Sequence, residues 1–377
     1  MAAPRMTSTP SRADDLAPTD YAPEYDDDVE SPVTIPPTSG SEDRKPPTAW
    51  LTALYISVFA VFGTVLRIYL TRFFGGDCEK STDAYFESNV CATSSEGAVF
   101  LDLPANMLGS AVMGSLSHLR APWLHRDHPL QRHQAWQTAL RVGFCGCLTT
   151  FASWNTQMVA MLDGTTIERE LVVEALYGYV IGSCCAFASF LFGQHVAQWL
   201  EAFQGDALQR LPRALEFMLG VNVTPFLLLV VLLAFAVVAD LLSSNEFHRF
   251  LWMSITAAPF GALLRWKLSS LNSRVLWKPL EFMPWGTFTA NVVASVISAM
   301  MAALRYRYLL DDDDVWARAA ASAIQTGFAG SLSTVSSLMN ELFKLGTESP
   351  AKAYAYLLCT IVAAMLLGLL VYSPIVR

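Results

Sequence analysis

The sequence predicts an all-α polytopic membrane protein. It should have nine transmembrane helices: two four-helix repeats of opposite orientation, joined by one linker helix. Three observations predict this. The 377 residues are 53% hydrophobic and only 15% charged, against about a quarter charged in soluble proteins. Nine stretches are long and apolar enough for a bilayer core, which takes about 20 helical residues. Short motifs also recur in the same order on either side of the fifth stretch.

In chain order, residues 1–48 come first. They hold ten Asp/Glu, four Lys/Arg and nine of the 19 prolines. With almost no large apolar residues, this tail cannot offset its ordering entropy and is expected to be disordered. It has no apolar core of the signal-peptide kind. The expected spans then run at 50–71, 98–119, 136–161, 171–198, 217–241, 250–271, 284–304, 316–343 and 351–373. These divide the chain into a first domain (49–200), a linker with its helix (201–249) and a second domain (250–377). The fifth span is the most uniformly apolar and should mostly touch lipid. The others carry Gly, Ser, Thr or Asn, which suits helices packed on each other. Arg44, Lys45, Arg120, Arg126 and Arg132 flank the first spans on one side. The positive-inside rule then puts the N-terminus in the cytoplasm and, after nine crossings, the C-terminus outside. Cys145, Cys147, Cys184, Cys185 and Cys359 lie in apolar segments and read as packing residues. Cys78 and Cys91 share a polar loop and could pair if it is extracellular.

The first spans of the two halves contain "FGTVLRIYL" (62–70) and "FGALLRWKL" (260–268). The second spans hold Asn106 and Asn291, and the third hold "GFCGCLTTFASW" (143–154) and "GFAGSLSTVSSL" (327–338). Three matches in order point to duplication. Four spans return the chain to its starting side, so the single span between the repeats inverts the second one. Inverted repeats place a site near the midplane, at their interface.

The polar residues within the spans are costly there and read as functional candidates. Arg67 and Arg265 recur in Gly-x-x-x-Arg and suit a role in attracting an anion; snorkelling at a helix end is the alternative. Asn106 and Asn291 read as mid-span donors or as interhelical glue. Thr287 lies one turn before Asn291 on the same face, whereas the first half has Asp102 at that place. In each third span Gly-x-x-Gly precedes a hydroxyl pair, which should weaken the helix. Broken backbone at that depth must be buried in protein or line water. Its freed carbonyls suit a hard cation such as sodium; close packing through small residues is the other reading.

These motifs resemble the Fluc, or CrcB-like, family of fluoride channels, in particular the fungal and plant exporters that fuse two such domains. The resemblance covers residues 50–373. It implies a fluoride pathway with Phe151 and Trp154 in the places of the two pore phenylalanines. The second half has Val335 and Leu338 there. It also implies that Asn106, Asn291, Thr287, Arg67, Arg265 and Glu341 serve the pathway; Gln157 stands opposite Glu341. A central structural Na+ would be held by Gly146, Thr149, Thr150, Gly330, Ser333 and Thr334, mainly through backbone carbonyls. The aromatic asymmetry implies one working and one vestigial pathway.

The chain is therefore expected not to be an enzyme and not to bind nucleic acid. No Gly-x-x-x-x-Gly-Lys-Ser/Thr motif is present. The resemblance implies passive fluoride export across the plasma membrane by a single chain embedded in the lipid bilayer. The alternative is a proton-coupled anion transporter using Asp102 or Glu341.

Overall fold

A computed structural model describes residues 49–76, 92–118, 134–163, 169–202, 224–243, 245–309 and 315–377. The acidic tail, the Cys78–Cys91 pairing, and the loop charges Arg44, Lys45, Arg120, Arg126 and Arg132 lie outside the described residues. Those residues are helical apart from turns and one isolated bridge, Ser94 to Phe100.

In the first half, α1 is Ala49–Thr71 and α2 is Leu103–His118. Helix α3 starts at Gln134–Thr138, passes through π-helical Ala139–Cys145 and ends in Gly146–Leu148. Helix α4 is Phe151–Leu162 and α5 is Arg169–Ala202. Helix α6 is Thr224–Leu242. The second half repeats the series: α7 is Glu246–Leu268 and α8 is Trp285–Leu304. Helix α9 runs Val315–Ala323, π-helical Ile324–Ala329 and Gly330–Leu332. Helix α10 is Ser336–Glu348 and α11 is Pro350–Val376.

Among the described residues, five stretches are continuous and apolar enough to cross a membrane: Ala49–Gly75, Leu171–Leu200, Thr224–Leu242, Trp285–Tyr308 and Pro350–Val376. The other four expected spans differ for physical reasons. Helix α2 starts at Leu103 rather than 98, because Gln157 holds the preceding turn through Ser94 O (2.8 Å) and Leu101 N (3.3 Å). The third and eighth expected spans are each interrupted, by the gaps between α3 and α4 and between α9 and α10. Helix α7 carries Glu246, Arg249, Arg265 and Lys267.

Helix α6 has only Pro225 and Ala236 buried, as expected of a helix facing lipid. Large apolar side chains also point outward from α5 and α11, among them Val173, Phe192, Leu358 and Leu370. An exposed apolar surface of this extent suits lipid rather than water.

The two halves interleave. Helix α1 packs on α3, as α7 does on α9, and α1 and α7 pack on each other. Helix α4 packs on α8 and α11 of the second half, and α10 packs on α2 and α5 of the first. Glycine permits the closest approaches. A Cβ at Gly63 would sit 2.5 Å from Phe144 O, and one at Gly261 2.3 Å from Phe328 O. Both obstacles are backbone, so neither can swing aside. Gly261→Ala is therefore expected to destabilise the fold by about 1–3 kcal/mol or more, read as an earlier thermal aggregation midpoint in detergent. Ala257→Gly on the same helix serves as a control for added glycine.

Candidate ion pathway

The two helix breaks sit at the hydroxyl residues. Thr149 (φ −98°, ψ 148°) and Thr150 (φ −141°, ψ 124°) are extended between α3 and α4. Ser333 (φ −80°, ψ 166°) is extended after α9. A continuous helix would bond the amides of 150–153 to the carbonyls of 146–149. Here side-chain oxygens take those amides instead. Thr150 N donates to Asn106 Oδ1 (2.8 Å), and Ser153 N to Thr150 Oγ1 (3.3 Å). Phe151 N and Ala152 N donate to Ser333 Oγ (3.2 and 3.0 Å), a residue of the other half.

The second break repeats this pattern at matched positions. Thr334 N donates to Asn291 Oδ1 (2.8 Å), and Ser337 N to Thr334 Oγ1 (3.3 Å). Val335 N and Ser336 N donate to Thr149 Oγ1 (3.2 and 3.1 Å). Each half thus supplies a hydroxyl that caps the first turn of the other half's helix. The hydroxyls also meet directly: Thr149 Oγ1 lies 3.3 Å from Thr334 Oγ1, and Thr150 Oγ1 3.2 Å from Ser333 Oγ. The carbonyls of 146–149 and 330–333 lose their helical donors to these caps.

Within each motif the break falls at the hydroxyl pair, and the second glycine stays in the helix. Gly146 (φ −69°, ψ −29°) and Gly330 (φ −61°, ψ −32°) are helical. Their lack of a side chain admits a guanidinium from the opposite half. A Cβ at Gly146 would lie 1.8 Å from Arg265 Nη1, and one at Gly330 2.6 Å from Arg67 Nη1.

Arg67 and Arg265 are 1% and 4% exposed, so neither snorkels. Arg67 Nη2 donates to Thr326 O (2.6 Å) and Arg265 Nη2 to Val142 O (2.8 Å). Thr326 and Val142 are matched positions of the repeat, and both lie in the π-helical stretches. Arg265 Nε also donates to Ser331 O (3.1 Å). Arg67 Nε and Nη1 and Arg265 Nη1 have no hydrogen-bond partner among the described residues. Buried donors of this kind call for an acceptor.

Asn106 and Asn291 each close a two-way clamp on the break. Besides accepting from the amides above, their Nδ2 groups donate to Thr150 O and Thr334 O, both at 3.1 Å. Asn106 stands in the first turn of α2, because that helix begins at Leu103, and Asn291 lies about two turns into α8, which begins at Trp285. One amide N–H on each remains to donate elsewhere.

Thr287 and Glu341 come together. Thr287 Oγ1 donates to Glu341 Oε1 (2.6 Å), and Asn272 Nδ2 reaches the same oxygen (3.0 Å). Tyr356 Oη donates to Glu341 Oε2 (2.7 Å). In the first half Asp102 takes hydroxyls from Thr71 (2.8 Å) and Ser153 instead. Phe151 and Trp154 are buried and meet edge to face, with centroids 5.4 Å apart. Trp154 stacks on Phe100 (5.1 Å, 9°) and lies against Tyr179 (5.7 Å). Val335 and Leu338 are buried in the same apolar core.

Asn272, Tyr356, Phe100 and Tyr179 were not singled out from the sequence. Asn272 and Phe100 lie in connecting segments, where spacing carries no signal. Tyr356 and Tyr179 stand on the last helices of their halves and were hidden among apolar neighbours.

The comparisons with known proteins agree with this duplicated arrangement. The CrcB-like protein family (Camphor Resistance, CrcB) matches the chain twice, over residues 54–194 and 252–372. Fluoride export protein 1 of Candida albicans is 28% identical over 257 residues, covering 64% of this chain and 64% of that protein. The chain thus matches just under two thirds of that relative's length. Fluoride export protein 1 of Schizosaccharomyces pombe is 29% identical over 244 residues, 63% of this chain and 75% of that protein. The fluoride-specific ion channel FluC of Bordetella pertussis is 36% identical over 101 residues, 26% of this chain and 70% of that protein. No solved structure matches the chain. With both halves matched in tandem, the chain belongs to the CrcB-like protein family.

Proposed function

We propose that this chain is a fluoride channel that exports the ion across the plasma membrane by passive electrodiffusion. The observation that carries the reading is the set of buried donors without acceptors: Arg67 Nε and Nη1 and Arg265 Nη1, beside a broken backbone. The names of its relatives, fluoride export proteins and a fluoride-specific channel, supply the ion. Fluoride accepts hydrogen bonds and donates none, so a pathway must replace its water with N–H and O–H groups. Asn106, Asn291, Arg67 and Arg265 supply such groups, Thr287 spends its one proton on Glu341 at the edge of the same site, and the edges of Phe151 and Trp154 add weak positive charge. Glu341 orients Thr287 and Tyr356. A negative-inside potential drives an anion outward by about 2.3 kcal/mol per 100 mV, so no energy source within the chain is required.

The finer architecture belongs to the same proposal. Nine spans form two inverted four-helix repeats around a linker helix, with the N-terminus cytoplasmic and the C-terminus outside. The exchange of caps and guanidinium contacts at matched positions supports it, and lets a single chain complete the pathway. A structural sodium ion fits the centre. The donor set there is oxygen only, from the carbonyls of Gly146, Thr149, Thr150, Gly330, Ser333 and Thr334, and such ligands suit a hard cation. When bound, it would add positive charge that raises anion occupancy.

Buried Asp102 and half-buried Glu341 motivate a second reading, proton-coupled anion transport. Efflux from liposomes carrying the purified chain separates the two, using a fluoride electrode, valinomycin and no proton gradient. Rapid fluoride loss with chloride retained is the expected result. Flux that begins only when a proton gradient is imposed would replace the channel by the transporter.

A further inference from the structure

The segment between α7 and α8, we infer, docks its tip, Arg274–Lys278, on the membrane interface and recognises anionic lipid headgroups there. The docking does not require the proposed pathway to conduct. The tip reads Arg-Val-Leu-Trp-Lys. Val275, Leu276 and Trp277 are 57%, 57% and 58% exposed. Among the described residues they form the one run of three large exposed apolar side chains outside a helix. Three such residues in a row at a surface call for a partner.

Two fixed feet project this run outward. The first is Asn272. Its Nδ2 donates to Thr287 Oγ1 (3.1 Å) and Glu341 Oε1 (3.0 Å), and its Oδ1 accepts from Thr287 N (3.0 Å). Gly286 leaves room for this contact: a Cβ there would lie 2.6 Å from Asn272 Oδ1 and 2.1 Å from Leu268 O. The second foot is Met283, buried in the largest apolar core, with Leu280 packed against the same core. A short turn completes each side, with Arg274 N bonded to Leu271 O (3.0 Å) and Leu280 N to Trp277 O (3.0 Å). Every residue from Ser273 to Pro279 is exposed.

Position and charge identify the partner as a bilayer surface. Helix α8 opens the apolar span Trp285–Tyr308, and Lys278 stands seven residues before its start. The tip is therefore held near the level where a span meets the headgroups. Tryptophan is favoured at that level because its ring is apolar and its N–H polar. Arg274 and Lys278 flank the apolar run, and neither has a salt bridge among the described residues. From Lys267 to Glu281 the segment carries three basic residues and one acid, all exposed. A cationic rim around an apolar tip matches anionic headgroups over hydrocarbon. In the orientation proposed above this end faces the cytoplasm, whose leaflet holds the anionic lipids.

The test uses the full chain in lipid nanodiscs, with Leu276 replaced by the fluorescent amino acid dansylalanine. The expected result is quenching by a nitroxide lipid labelled near the headgroup, with protection from acrylamide in the water. Adding phosphatidylserine to phosphatidylcholine should raise the inserted-to-free ratio about fivefold for each basic residue that meets it. Arg274→Gln with Lys278→Gln should abolish that increase and keep the quenching seen in phosphatidylcholine alone. Trp277→Ser should lower quenching in both lipids. A probe quenched by acrylamide and untouched by the nitroxide lipid would overturn the inference, because the tip would then lie in water. Lipid quenching indifferent to phosphatidylserine would overturn the headgroup recognition. Protection from acrylamide without lipid quenching would overturn the membrane as partner; loss of that protection on removing residues 1–48 would make the acidic tail the occupant. These readouts are independent of fluoride flux, so failure of the proposed function leaves them decisive.

Discussion

Ser333→Ala is expected to destabilise the protein severely, because one hydroxyl serves both halves. Ser333 Oγ accepts from Phe151 N and Ala152 N and lies 3.2 Å from Thr150 Oγ1. Alanine would strand two buried amides, each costing about 1–3 kcal/mol. Thr149→Ala should do the same to Val335 N and Ser336 N. Thermal aggregation in detergent, followed by size-exclusion chromatography, reads the loss. Thr149→Ser keeps the oxygen and should stay close to the unmodified protein. The double variant Thr149→Ala with Ser333→Ala tests coupling, since the two caps belong to one cluster and neighbours of this kind are not additive. Additive losses would mean that the two breaks fold as separate units.

Asn291→Leu is expected to remove fluoride flux and lower the yield of folded protein together. The side chain holds Thr334 N at 2.8 Å and Thr334 O at 3.1 Å, so leucine leaves both backbone polar groups of Thr334 without this partner in a buried site. Asn291→Asp keeps the acceptor for Thr334 N and should recover folding better than flux, because it loses the donor. Flux that survives in folded Asn291→Leu would make this asparagine purely structural. The matched variant Asn106→Leu should damage folding in the same way, through Thr150 N and Thr150 O.

The duplicated plan was legible because its motifs are local. Gly63 and Gly261, Arg67 and Arg265, and Asn106 and Asn291 stand at matching positions in the sequence. In the structure each pair makes equivalent contacts. The location of the break was less legible. The motif contains both glycines and hydroxyls, and the backbone departs from the helix at Thr149 and Ser333, where side-chain oxygens can replace carbonyl acceptors. The reason glycine stands at 146 and 330 is a guanidinium from the other half, and a contact across more than a hundred residues leaves no local trace. The trans caps are hidden for the same reason: a hydroxyl after a helix reads as its own cap. Asn272 bonds Glu341 from a connecting segment, where neither periodicity nor motif marks it. Asp102 was visible as a departure from the repeat, and its partners Thr71 and Ser153 emerge only when three helices are assembled.

The most direct test of a fluoride-selective electrodiffusive pathway is the reversal potential of the purified chain in a planar bilayer. A tenfold fluoride gradient would be set against symmetric chloride and symmetric pH. The account predicts a current that reverses at the fluoride equilibrium potential, about 59 mV for one charge and a tenfold ratio. Superimposing a pH gradient should not move it. A reversal potential that follows the chloride or proton gradient, or an absence of fluoride current, would contradict the account.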